Sequence, residues 1–303
     1  MKRTKYSFTG SRPVFTGAPA IVPGGFNLDK TNQSFELGAV VPAGSLAVVD
    51  EATRTVKIVK TAKVAAIDSV DAKIVTLKVD EFFEPLFVAG ESVQKVGAIG
   101  GAFANAPTIT KVIRKVGSSF VIHLSAAIDG LNVNDVLEQV VSKKSAPVVA
   151  GILVTHGDAD HVYVVTPGLD LAAGDKVMNY PLAEGALIAN AIAVTSYDKL
   201  SGKLVLASDP TSAGVGAALV KVFANSTAAV AEADVAAEIG KASRVTITDT
   251  EVSEYETAID VCHDTMQYAL FENRVAPIPA SQKDAQGEFL AANPHIRLTK
   301  ALG

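Results

Sequence analysis

The chain has 303 residues, 27 Lys and Arg against 32 Asp and Glu for a formal net charge of −5, and only 19% charged residues, below the roughly 25% of an average globular protein. One cysteine, Cys262, excludes a disulfide scaffold and any zinc site built on cysteine pairs. The acidic balance argues against broad contact with a nucleic-acid backbone, and 49% hydrophobic residues exclude wholesale disorder.

The start, Met1-Lys-Arg-Thr-Lys5, is basic like a secretory leader, but Ser7, Thr9, Ser11 and Arg12 stand where an apolar run is needed. The longest apolar stretch, Ala146 to Val154, is too short to cross ~30 Å of hydrocarbon. Neither export by that route nor a membrane partner is expected. Residues 1–36 then differ from the rest. Pro13, Gly17, Pro19, Pro23, Gly24 and Gly25 break helix and strand alike. The apolar Phe8, Val14, Phe15, Ile21 and Phe26 among them are costly to leave in water. This composition predicts an extended arm that packs on a neighbouring subunit, whose deletion leaves a folded core.

From Leu37 to about Ser145 short Val, Ile and Thr runs alternate with Gly, Asp, Ser and Pro, which predicts a first β-module over 37–145. Val64–Ile67 with Ile74–Leu77, and Ile109–Val112 with Phe120–Leu124, have the pattern of hairpins. A second module over 146–225 has the same pattern, with Ile192–Val194 turning back into Lys203–Leu206. A small-residue turn leading into a strand recurs three times, at Ala89-Gly-Glu-Ser-Val93, Val133-Asn-Asp-Val136 and Ala173-Gly-Asp-Lys-Val177.

The last quarter changes period. Val252, Tyr255, Ile259, Cys262, Met266 and Ala269 lie three or four apart, which predicts one helical stripe. Thr248 or Thr250 can cap its start, and Pro277 and Pro279 end it. The Ala-rich run Ser226 to Gly240 suggests a shorter helix before it. The expected fold is therefore mainly β with an α-helical C-terminal region over 226–303: tandem small β-barrels or sandwiches behind an extended arm. Tyr255, Ile259, Met266, Ile296 and Leu298 join the arm's apolar residues as candidate intersubunit contacts.

One motif carries possible chemistry. His156-Gly-Asp158-Ala-Asp160-His161 follows an apolar strand and resembles the metal-binding signature of the metallo-β-lactamase fold, where imidazoles and carboxylates hold a metal that activates water. Its setting departs from that family, because Val162-Tyr-Val-Val165 continues as a strand instead of entering a helix. A polar Gly-Asp turn between two strands accounts for the same residues. Elsewhere Cys262 and His263 are neighbours that point apart on a helix, so they make no nucleophile–base relay. No catalytic residue and no cofactor site is expected.

Phe35-Glu-Leu-Gly38-Ala-Val-Val-Pro42-Ala-Gly44-Ser-Leu-Ala-Val-Val-Asp50, continuing through Glu51 to Val56 and from Val59 to Val64, resembles head-fibre or auxiliary capsid proteins of tailed bacteriophages that infect Bacteroidetes, including crAss-like ones. The stretch from Pro277 through Asn293-Pro-His-Ile-Arg297 fits the same likeness. The resemblance implies a non-enzymatic virion protein on the capsid surface, assembled in the host cytoplasm. Its implied partners are copies of itself and other capsid proteins in a large homo-oligomeric assembly. A metal-dependent hydrolase using His156, Asp158, Asp160 and His161 is the alternative.

Overall fold

The computed structural model describes residues 13–80, 82–97, 99, 101–115, 117–142, 161–169, 171–211, 217–225, 227–231, 236–263, 268–283 and 295–301. These fall into two compact units, one within Met1–Gly101, Ala106–Val141 and Glu238–Gly303, the other within Ala102–Asn105 and Ser142–Ala237.

The described residues of the C-terminal region do not form the expected helices. The chain is mainly β, 40% strand, and among the described residues no helix reaches seven residues. Past residue 226 the chain forms strands at Ala228–Ala231, Ala236–Glu238, Arg244–Val245, Thr250–Glu251, Ala258–Ile259, Leu270–Phe271 and Leu298–Thr299. Single 3-10 turns occupy Glu272–Arg274 and Ala280–Gln282. The three-and-four spacing misleads because a period of two runs through the same residues: Thr257, Ile259 and Val261 are all buried, and all are β-branched. Val252 instead precedes, and Tyr255 lies within, a turn held by Ser253, whose hydroxyl donates to the Glu256 carbonyl at 2.8 Å. The Ala-rich run is overridden by its partner. Ala228–Ala231 pairs in register with Leu219–Asn225, and Val222 opposite Ala231 and Phe223 opposite Val230 supply the cross-strand packing that alanine lacks.

In the first unit five strands run in the order Arg244–Val245, Leu46–Asp50, Thr55–Ile58, Phe26–Leu28 and Ala258–Ile259. Thr246 then bridges Val261, while Ile247 N–H donates to Asp260 and Cys262 N–H to Val245, each at 2.9 Å. The two edges thus meet and the sheet closes into a small barrel. Phe26, Leu28, Val56, Ile58, Ile259 and Val261 fill it. Phe26–Leu28 lies parallel to Thr55–Ile58, with Asn27 opposite Thr55. A segment expected as a free arm is therefore a barrel strand. Its upstream residues run along the C-terminal segment of the same chain: Phe15 bridges Leu270, Ile21 bridges Cys262, and Val22 N–H donates to Val261 at 3.1 Å.

A second closed sheet in the same unit is built from Val136–Ser142, Thr61–Ile67, Ile74–Leu77, Ser119–Leu124 and Ile109–Lys115. Ser92–Gln94 seals it, pairing with Val136–Ser142 on one side while Ser92 bridges Thr108 on the other. The expected hairpins at 64–77 and 109–124 lie here. Residues 40–58, placed with them by sequence, pair instead with 26–28 and 244–251. The second unit holds a six-stranded sheet in the order Val162–Val164, Lys203–Leu206, Ile192–Tyr197, Lys176–Asn179, Leu219–Asn225 and Ala228–Ala231, over a core that includes Tyr163, Val177, Val194 and Leu204.

The recurrent turn proves to be one repeated clasp, with a fourth copy at residues 42–45. Gly44, Gly90, Asn134 and Gly174 all have positive φ, at 84°, 94°, 76° and 93°. Each donates its N–H to the carbonyl of one residue on a neighbouring strand (Thr246, Ile109, Val64 and Val194), at 2.8 to 2.9 Å. That same residue returns its own N–H to the carbonyl of the next turn residue, Ser45, Glu91, Asp135 or Asp175. The acidic side chains at this last position accept the N–H three residues back: Val88 to Glu91 at 3.0 Å, Asn132 to Asp135 at 2.8 Å, Ala172 to Asp175 at 2.8 Å. In the fourth copy that residue is Pro42, which has no N–H, and a serine stands in place of the acid, its hydroxyl donating to the Pro42 carbonyl at 2.8 Å.

The clasps differ in the space around the glycine. A Cβ at Gly90 or Gly174 meets nothing within 4 Å, whereas one at Gly44 runs into the Val275 side chain. Gly90→Ala and Gly174→Ala should each cost about 1–2 kcal/mol, the price of the left-handed backbone alone. Gly44→Ala adds overpacking and should cost about 3 kcal/mol. Urea denaturation of the three variants checks the order, and equal losses would refute it.

Candidate functional site

Of the metal-loop candidates, His156, Asp158 and Asp160 lie outside the described residues. His161 has a φ of 40° and opens the strand Val162–Val164. Its Nδ1 is 2.8 Å from Asp209 Oδ1, and the Tyr163 hydroxyl donates to the same oxygen. Burial, with the Asp209 carboxylate adding to it, pushes the Tyr163 phenol above its ordinary range. The carbonyl of His161 accepts from Leu206 N–H at 3.0 Å. These residues tie the start of one strand to the loop that follows Lys203–Leu206. Among the described residues no group of three His, Cys, Asp or Glu side chains is placed to hold a metal.

The candidate contact residues separate into two sets. Phe15, Phe26, Ile259 and Ile296 are buried in the chain's own cores, and Val14 and Leu298 pack half-buried against the cluster around Phe15 and Ile296. Ile21 and Tyr255 remain at the surface, 49% and 81% exposed. Phe8 and Met266 lie outside the described residues.

Among the described residues lies a buried polar cluster that sequence reasoning missed. Gln33, Lys60, Glu91 and Gln139 are each buried to 6% exposure or less. Lys60 Nζ lies 2.5 Å from Glu91 Oε1, also donates to the Ser34 carbonyl, and sits 4.0 Å from the Phe35 ring centroid. Gln139 Nε2 donates to that same Glu91 oxygen at 2.9 Å. Gln139 Oε1 in turn accepts from Gln33 Nε2 at 2.7 Å. The ends of Gln33 are set by the backbone of Ile58, whose N–H donates to Oε1 at 2.8 Å and whose carbonyl accepts from Nε2 at 2.7 Å. That fixes which end of each carboxamide is oxygen. Burial lowers the Lys60 ammonium and raises the Glu91 carboxyl, each against the attraction of the other. The one signal in the sequence is phase. Val56, Ile58 and Lys60 share the inward face of an alternating run, so a lysine stands where an apolar residue is due.

Next along the strand, Glu138 is fully buried. Its Oε2 accepts from the Ser281 hydroxyl at 2.6 Å and its Oε1 has no hydrogen-bond partner. Burial raises its pKa to about 7, the Ser281 bond works against the rise, and the negative charge of Glu238 adds to it. No family model, no curated protein and no solved structure matches the chain.

Proposed function

We propose that the chain is a non-enzymatic structural protein of a tailed-bacteriophage virion, attached to the capsid surface as a decoration or head-fibre component. The observation that carries this reading is the construction of the molecule from small sheets, two of them closed, with the same clasp repeated four times across both units. Closure removes the sheet edges that invite uncontrolled pairing, and rigid modules present a fixed surface to copies arrayed on a symmetric shell. The resemblance of residues 35–64 to head-fibre and auxiliary capsid proteins supports the same assignment. Within it, Tyr255 and Ile21, two of the exposed apolar residues of the first unit, are the ones proposed for a neighbouring subunit to cover.

The reading is tested on particles. Peptide mass spectrometry of gradient-purified virions should find the chain at a fixed copy number relative to the major capsid protein, and Tyr255→Asp should lower that number at least tenfold without unfolding the protein. Absence of the chain from purified particles would overturn the assignment.

A further inference from the structure

We propose that Lys60 and Gln139 become joined by an intramolecular isopeptide bond, formed by the folded protein itself with Glu91 as proton carrier and Gln33 as donor to the oxyanion. The inference stands on the buried site and does not depend on the virion reading.

The geometry assembles the four roles of acyl transfer. Lys60 and Gln139 are cross-strand neighbours, with Gln139 N–H donating to the Lys60 carbonyl at 3.0 Å. The nucleophile is Lys60 Nζ, whose side chain is 0% exposed. The electrophile is the Gln139 carboxamide carbon. The attacking and the leaving nitrogen are held by one atom, Glu91 Oε1, at 2.5 and 2.9 Å. A carboxylate so placed can take a proton from one nitrogen and give it to the other. The carbonyl oxygen points at Gln33 Nε2, 2.7 Å away, where negative charge develops as the carbon becomes tetrahedral. Because Ile58 fixes Gln33, that donor is in place before reaction. The Phe35 ring and the surrounding core keep out the water that would otherwise solvate the ammonium. Burial drives both charges of the pair toward neutrality, which frees the amine lone pair.

The step balances without a co-reactant. The Lys60 ammonium gives a proton to Glu91. The freed lone pair forms a bond to Gln139 Cδ, and the carbonyl π pair moves to Oε1. Glu91 delivers its proton to Nε2, the C–Nε2 bond breaks as the carbonyl re-forms, and ammonia leaves. The new amide nitrogen returns its extra proton to Glu91, which ends neutral beside an uncharged isopeptide. A buried ion pair is thereby replaced by a neutral link, relieving its desolvation cost.

The intact mass of the full chain, unfolded after purification, decides the matter. The expected value is about 17 Da below that of the sequence, one ammonia lost in the acyl transfer. Tryptic mapping should show no cleavage after Lys60 and a cross-linked peptide containing Lys60 and Gln139. Glu91→Gln should carry the full sequence mass, and Gln33→Leu should slow bond formation about 100-fold, the usual loss for an oxyanion donor. A wild-type protein at full sequence mass with unlinked Lys60 and Gln139 peptides would overturn the proposal, whatever the variants do. An ammonia loss mapped to another residue would overturn it equally, and a bond present in Glu91→Gln would remove Glu91 from its role.

Discussion

Replacing Glu138 with glutamine should leave stability nearly unchanged at pH 4 and raise it by about 3 kcal/mol at pH 8. In the folded chain the Glu138 carboxyl titrates at about 7, and unfolded it returns to its ordinary 4.5. Below the lower value both states hold the proton and the group adds no penalty. Between the two the folded state keeps a proton that the unfolded state has released, so stability falls as pH rises. Above about 7 the folded protein carries a buried charge beside Glu238, and the whole difference, about 3 kcal/mol, is lost. Glutamine keeps the shape and the oxygen that accepts from Ser281. It also puts an N–H in place of the unpartnered Oε1. Urea unfolding of both proteins at pH 4 and pH 8 measures the effect. Taking the difference between variant and wild type cancels the other titrating groups. An offset that is the same at both pH values would show that Glu138 is not the linked group.

How much of this was legible in the sequence depends on how locally each feature is encoded. The clasps at 89–93, 133–136 and 173–177 could be read because Gly or Asn and the acid after it sit within five residues. The hairpins at 64–77, 109–124 and 192–206 could be read for the same reason. Closure of the first barrel could not. It joins Phe26–Leu28 to Thr55–Ile58 in parallel and Thr246 to Val261, and no local pattern states which strand lies beside which. The Pro and Gly content of residues 13–25 correctly excluded helix, but it held no sign that the apolar residues among them are matched by Val261, Cys262 and Leu270. The buried site was hidden by distance as well. Its members stand at 33, 60, 91 and 139, each ordinary in its own neighbourhood. Only the inward phase of Lys60 marked one of them. The helical stripe shows the opposite failure, a periodicity real in spacing but subordinate to the β-branched alternation at 257, 259 and 261.

Removing residues 1–28 should unfold the first barrel, contrary to what a detachable arm would allow. Phe26–Leu28 lies between Thr55–Ile58 and Ala258–Ile259. Without it the barrel gains two open edges and exposes Val56, Ile58, Ile259 and Val261, now 0 to 1% exposed. The segment is also clamped from outside. The Arg54 guanidinium donates to the Pro23 carbonyl at 2.8 Å and the Gly25 carbonyl at 2.7 Å, and sits 4.1 Å over the Phe26 ring. The point variant Phe26→Ala isolates the core contribution from the loss of the strand. A 1% exposed phenylalanine truncated to alanine costs about 3–5 kcal/mol, and the lost cation–π contact adds about 1 kcal/mol. Chain truncated at residue 28 should lose the cooperative far-ultraviolet circular dichroism transition of this barrel, while Phe26→Ala keeps the transition at a lower denaturant midpoint. If the truncated protein unfolds at the same midpoint as the full chain, residues 13–28 are an appendage after all and the parallel strand contributes nothing to stability.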